Sequence, residues 1–285
     1  MLRPLFCRVL LPLVIVCWAG AGTARAWGEK GHVIVAAVAE FHLNQKAKAG
    51  IRALLGDRPI SSTRLANWAD LIKRSSAYQK KYPKNSSFHF VDVPYQEEGF
   101  DKARDSNDGN NVIEAIDRFR KVLASSEDAE DRKDALLFLV HLVGDLHQPL
   151  HCADREKDRG GNLLKVIFVE DRSRGLNLHR VWDTNLVNEA MGDLEPLDYA
   201  RRIDAAVTAK QKADWQKGNT VDWANATHKL AVERAYRKGD GGTPLPRDGP
   251  VELDQKYADT NKLVVREQLQ KAGIRLAFVL NEAFE

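Results

Sequence analysis

The chain has 285 residues, with 43 Lys and Arg against 40 Asp and Glu, enough for one sizeable core or two small ones. The charges nearly cancel, which excludes a broad positive surface for salt-driven binding to duplex nucleic acid. Three cysteines are too few for a disulfide framework.

Residues 1–26 read as a secretory signal. Arg3 and Arg8 make a basic start, Val9 to Trp18 is apolar, and Ala24-Arg25-Ala26 is a small-x-small cleavage site. Its removal takes Arg3, Arg8 and Arg25 with it and leaves 40 basic against 40 acidic side chains. Cys7 and Cys17 leave too, so Cys152 is alone in residues 27–285. Val16 before Cys17 is too bulky for a lipoprotein site, and no apolar run of spanning length follows Trp27. The expectation is an exported, soluble monomer, periplasmic or secreted.

Cutting after Ala26 frees the amine of Trp27, with His32 five residues on in Trp27-Gly28-Glu29-Lys30-Gly31-His32. A free amine and its own carbonyl oxygen can chelate a metal, and an imidazole can add a nitrogen. From this segment alone, Trp27 reads equally as the place where the signal ends.

Apolar residues recur at helical spacing from Val33 to Leu43, Ala49 to Leu55, Thr63 to Arg74 and Asn111 to Leu123. Asp134 to Leu146 is more apolar, as expected of a helix buried in a bundle. Further helices are predicted over Arg180 to Met191, Tyr199 to Ala209, Asp222 to Arg237 and Asp259 to Phe284. Phe88 to Val93 is a short exception, and Leu163 to Val169 reads as a strand after Gly160-Gly161. Lys238 to Pro250, rich in Gly and Pro, reads as a surface loop. Without repeats or a linker, residues 27–285 are predicted to form one mostly α-helical bundle with a short β-hairpin or strand excursion.

Most of the eight histidines fall in a pattern that points to metal. His141 and Asp145 are four apart on the most apolar helix, so both project from one face. His179 and Asp183 repeat that spacing, and Pro149 ends the first helix so that His151 can turn back. Asp70 lies in Asn67-Trp68-Ala69-Asp70 and His89 in Phe88-His89-Phe90. One His-x-x-x-Asp pair is weak evidence, but two pairs with four further candidates are not. Burying so many polar groups unpaired would cost roughly 2–7 kcal/mol each. Coordination removes that penalty, and nitrogen and carboxylate ligands without thiolates suit zinc in a hydrolytic role.

These motifs resemble the zinc-dependent single-strand-specific nucleases typified by secreted Aspergillus and Penicillium enzymes, within a superfamily that includes bacterial zinc phospholipase C. The matching text is Trp27-Gly-x-x-Gly-His32, Asn67-Trp-Ala-Asp70, Phe88-His-Phe-Val-Asp92, His141-Leu-Val-Gly-Asp145-x-His-Gln-Pro-Leu-His151, Gly160-Gly-Asn162 and Asn177-Leu-His179-x-x-Trp-Asp183. Asp222-Trp-Ala and Ala272-Gly-Ile-Arg-Leu-Ala277 fit more modestly. The missing cysteine framework departs from the fungal members and points to a bacterial source.

Position by position, the resemblance implies three zinc ions. One is held by Asp70, His89, His141 and Asp145, and a second by His151, His179 and Asp183. The third takes the Trp27 amine and carbonyl, His32 and the other oxygen of Asp145. A water shared by two zinc ions ionises near neutral pH, and the implied reaction is in-line attack of hydroxide on phosphorus. The third zinc then stabilises the departing 3′ oxygen, leaving 5′-phosphorylated products. Lys73 offsets transition-state charge and Asn162 holds a phosphate oxygen. Phe90 stacks on a base and Asp92 bonds its edge, which favours unpaired strands because stacking needs an unstacked base. Phe90 reads nearly as well as an ordinary core aromatic. The implied enzyme is an endonuclease on single-stranded DNA and RNA, with 3′-nucleotidase action on nucleotides left open.

His42 and His228 read as surface or helix-face residues, and Cys152 as a buried free thiol. His147 sits between ligands but off the face of His141 and Asp145. Zinc phospholipase C is the nearest rival reading; Phe90, Asp92 and Gly160-Gly161-Asn162 favour a nuclease. A non-catalytic exported zinc-binding protein would leave Lys73 and Asn162 without a task. Substrate preferences are expected to lie in the loops around residues 94–110 and 170–176.

Overall fold

A computed structural model describes residues 27–169, 175–239 and 241–285. The signal assigned to residues 1–26 and most of the loop at 170–176 lie outside the described residues. The first helices are α1 (Glu29–His42), α2 (Gln45–Leu55), α3 (Thr63–Ala66), α4 (Trp68–Ile72) and α5 (Ser76–Lys81). After a 3-10 turn at Asn85–His89 come α6 (Lys102–Asp105), α7 (Val112–Ser125) and α8 (Ala129–Leu146). Strand β1 (Val166–Phe168) precedes α9 (Leu178–Arg180), a π-helical turn at Val181–Asn185, and α10 (Leu186–Met191). The chain continues through α11 (Pro196–Asp204), α12 (Ala209–Trp215), α13 (Thr220–Leu230), β2 (Val251–Leu253) and α14 (Gln255–Ala283).

Short polar side chains start the helices that carry the site. Asp128 accepts from Asp131 N–H at 2.9 Å to open α8, and Asn177 accepts from Arg180 N–H at 2.8 Å to open α9. Each such cap stabilises its helix by about 0.5–2 kcal/mol. Helix α8 is buried at every position from Asp134 to Leu146, as its apolar sequence requires, with α1, α7 and α14 packed against it. Beneath the site Phe119 stacks on Phe138 with ring centres 4.2 Å apart, and Phe88 meets both edge-on. That cluster seats the turn carrying His89. Trp182 Nε1 donates to Tyr257 Oη at 2.8 Å, which anchors the π turn to α14.

The predicted Thr63–Arg74 helix is broken at Asn67, whose backbone leaves the helical region at φ −106° and ψ 12°. Its amide instead donates to Thr63 O at 2.9 Å and Glu29 O at 3.2 Å, tying the break to α1. The Tyr199–Ala209 helix stops at Asp204, and Thr208 opens α12 with a capping box. The strand expected over Leu163–Val169 is shorter, because Leu164 N–H turns back to Gly161 O at 3.3 Å. It pairs in parallel with β2, Val166 facing Val251 and Phe168 facing Leu253, so no hairpin forms there. No helix of the described residues is long and apolar enough to cross a membrane.

Candidate metal centre

The site grows from α8. The i, i+4 spacing puts His141 and Asp145 on one face, with Nε2 and Oδ2 3.5 Å apart and both residues fully buried. His32 comes from the start of α1; its ring stacks on His141 at 3.7 Å, and its Nε2 lies 3.3 Å from Asp145 Oδ1. Gly144 lies against the His32 ring. A Cβ on Gly144 would stand 3.0 Å from His32 Nδ1 and 3.7 Å from Trp27 Cδ1, so Trp27 is packed beside Asp145 as well.

The break at Asn67 lets α4 restart and carry Asp70 to the same cluster. Its Oδ1 lies 3.7 Å from His141 Nε2, 3.8 Å from His89 Nδ1 and 2.6 Å from Lys73 Nζ. His89 turns Nδ1 to Asp145 Oδ2 at 2.8 Å. His141 Nδ1 faces Ala66 O at 2.9 Å and must donate there, which leaves Nε2 with the free lone pair.

A second group forms where α9 runs into the π turn. His179 Nε2 lies 3.3 Å from Asp183 Oδ2 and 3.1 Å from His151 Nε2. Again the outer nitrogens are fixed: His179 Nδ1 donates to Gly160 O at 2.7 Å and His151 Nδ1 to His89 O at 2.6 Å. The His151 bond also couples this group to the first. Three sets of side chains therefore offer converging donor atoms: His32, His141 and Asp145; Asp70, His89 and His141; and His151, His179 and Asp183.

Both ring nitrogens of His32, Nε2 of His141, Oδ1 of Asp145 and Oδ2 of Asp70 are buried without a hydrogen-bond partner. Leaving such groups unmade costs about 1–3 kcal/mol each. Burial pushes the His32 and His179 rings down to about 4, so both are neutral and able to coordinate. It pushes Asp145 up to about 8. Burial would raise Asp70 too, but positive charge beside it, with Lys73 Nζ 2.6 Å from Oδ1, outweighs that and holds the carboxyl at about 2. Neutral imidazoles converging with carboxyl oxygens are a donor set that a cation would satisfy, so these residues fit bound metal ions.

Phe90 and Asp92 follow on extended backbone, where Val91 N–H donates to His151 O at 2.8 Å. Val91 and Val93 are buried while Phe90 and Asp92 are exposed, so the latter two share one outward side. Phe90 is 36% exposed, which removes the reading of it as a core aromatic. Asn162 sits two residues after Gly160 and donates Nδ2 to Arg159 O at 2.8 Å.

The S1/P1 nuclease family model matches residues 27–285. The chain belongs to the S1/P1 nuclease family. It is 30% identical to Nuclease S1 of Aspergillus oryzae, over 94% of this chain and 95% of that protein. It is 29% identical to Endonuclease 2 of Arabidopsis thaliana, over 95% of this chain and 96% of that one. With Nuclease P1 of Penicillium citrinum the identity is 29%, over 90% and 97% of the two chains. As an S1/P1 nuclease it hydrolyses phosphodiester bonds.

The remaining histidines of this S1/P1 nuclease have other partners. His147 turns away from the cluster: Nδ1 donates to Val143 O at 2.7 Å and Nε2 accepts from Arg275 at 2.8 Å. Arg275 also lies over Trp223, 4.8 Å from its centre, which accounts for both modest C-terminal motifs as packing. His228 is not a surface residue. It is 1% exposed, with its ring nitrogens 2.9 Å from Cys152 O and Glu97 O. Helical position alone could not reveal those partners, which come from loops far away in sequence. His42 is partly buried against Asp204 at 2.6 Å, and Cys152 is a buried free thiol.

Proposed function

We propose that the mature protein starts at Trp27 and is an exported, zinc-dependent endonuclease on single-stranded DNA and RNA that leaves 5′-phosphorylated ends. The observation that carries this reading is the convergence of buried, unpartnered imidazole and carboxylate atoms around Asp145. Asp70, His89, His141 and Asp145 would hold one zinc ion, and His151, His179 and Asp183 a second. The Trp27 amine and carbonyl, His32 and Asp145 would hold a third. Zinc is the metal that nitrogen and carboxylate sets without thiolate suit in hydrolysis. When bound, it supplies positive charge to the phosphate and lowers the pKa of water.

The chain's own groups do the rest. Backbone carbonyls lock the tautomers of His141, His151 and His179, so their Nε2 atoms accept. Lys73, held near the cluster by Asp70, neutralises charge that builds on the phosphoryl oxygens. Asn162 donates to a phosphate oxygen. The exposed Phe90 ring stacks on one base and Asp92 bonds the base edge; both need a base free of its own stack, which favours single strands.

The test uses the processed protein. N-terminal sequencing and metal analysis should find Trp27 first and zinc bound. Single-stranded DNA and RNA should yield 5′-nucleotides faster than duplex does, 3′-nucleotides should be assayed beside them, and phosphatidylcholine should release no choline phosphate. Zinc-free protein with full activity would refute the reading.

A further inference from the structure

Gln148 stands in the His141–His151 motif, and its side chain is completely buried. Its Nε2 donates to Asp183 Oδ1 at 2.5 Å, while its Oε1 accepts from Leu150 N–H at 2.6 Å. One planar amide thus joins the Asp183 carboxylate to the 3-10 turn Pro149–His151 that carries His151. The amide has a single orientation that serves both neighbours, since carboxylate oxygen only accepts and backbone N–H only donates. With Oδ1 taken, Asp183 turns Oδ2 toward His179 Nε2 at 3.3 Å.

We propose that Gln148 is the positioning residue of the His151–His179–Asp183 metal group. It holds Asp183 in the rotamer that aims Oδ2 at His179 and leaves Oδ1 3.9 Å from His151 Nε2, and it ties that rotamer to the turn presenting His151. The proposal rests on reading this group as a metal site. A group that merely filled space would need neither a donor toward the carboxylate nor an acceptor toward the turn.

The test compares mature wild type with Gln148→Met, which keeps bulk, and Gln148→Glu, which keeps shape. Zinc is titrated into each metal-stripped protein, with circular dichroism as the check on folding. In Gln148→Met one of the bound ions should lose about 10–100-fold in affinity while the others keep theirs. In Gln148→Glu the new carboxyl can donate to Asp183 only when protonated. That ion should therefore be lost at alkaline pH and regained at mildly acidic pH, against the wild-type trend of weaker binding as histidines protonate. Unchanged zinc affinity in Gln148→Met, or a wild-type pH trend in Gln148→Glu, would overturn the proposal. Should Gln148→Met not fold, the pH trend of Gln148→Glu decides. Wild type that binds zinc in this Gln148-dependent way yet cleaves no single strand would sink the proposed function and leave this inference standing.

Discussion

The backbone N–H of Gly28 donates to the carbonyl oxygen of Asp183 at 2.7 Å. Asp183 lies in the π-helical turn Val181–Asn185, so the first peptide of the proposed mature chain is pinned to a residue of the opposite metal group. A Cβ on Gly28 would meet Thr184 Oγ1 at 2.8 Å and Asp183 O at 3.1 Å, which leaves no room for a side chain. Gly28 therefore docks the N-terminal motif on the π turn, and in the proposed mature form Trp27 would supply the amine.

Gly28→Ala should lift the N-terminus from the π turn at about 1–3 kcal/mol of strain and reduce zinc retention and cleavage together. A mature form carrying one extra residue ahead of Trp27 tests the amine itself. It should hold less zinc and cleave slowly; full activity in that form would remove Trp27 from the metal centre.

Metal removal should expose opposing pH effects. The His32 and His179 rings sit at about 4 when folded against an ordinary 6.5, so the unfolded chain takes up their protons first. Their stabilising share is lost as pH falls from 6.5 toward 4. Asp145 has the opposite sign: folded it keeps its proton up to about 8, while the unfolded group releases it near 3.8. Its share is lost as pH rises between those values. Zinc needs neutral rings and ionised carboxylates, so the gap in Tm between zinc-loaded and chelated protein should widen from mildly acidic to alkaline pH. A gap independent of pH, measured by calorimetry, would contradict this.

Helical spacing located α1, α2, α7, α8 and α14 because α2 and α7 bury one face, while α1 over Gly31–Ala39 and α8 over Asp134–Leu146 are buried all round, and burial is written in local apolar spacing. His141 with Asp145 and His179 with Asp183 were legible for the same reason. Contacts between distant segments were not. The break at Asn67 depends on Glu29 O, β1 depends on β2 across more than eighty residues, and Gln148 matters only once Asp183 is beside it. The π turn leaves no period of its own, since its inserted residue looks like ordinary helix.

Phe90→Ala should weaken single-strand binding by roughly 1–3 kcal/mol, the worth of one stacked base, through a higher KM. Because Phe90 is 36% exposed, its truncation should leave zinc content and Tm almost unchanged. Titration of oligonucleotides into wild type and variant measures this; equal KM values would take Phe90 out of the substrate site.

Asp92 is open to solvent on one side, yet local desolvation and the carboxylates of Asp154, Asp158 and Asp105 push it up to about 6. Above that pH the carboxylate would accept from base N–H groups, as the proposed function requires; below it, the proton blocks one oxygen. KM should therefore fall as pH rises through about 6, and Asp92→Asn, which cannot ionise, should flatten that step. Identical profiles for the two proteins would exclude contact between Asp92 and the base.

Lys73 has two possible tasks, and they separate experimentally. Its Nζ lies 2.6 Å from Asp70 Oδ1, so it could serve only to hold that carboxylate. If instead it neutralises the transition state, Lys73→Met should lower kcat by about 10²–10³-fold with little change in KM. Zinc content should then stay intact, because His141 still flanks Asp70. Lys73→Arg should recover part of the rate by restoring the charge. Zinc loss running parallel with kcat would assign Lys73 to holding Asp70, and an unchanged kcat would deny it any part in the chemistry.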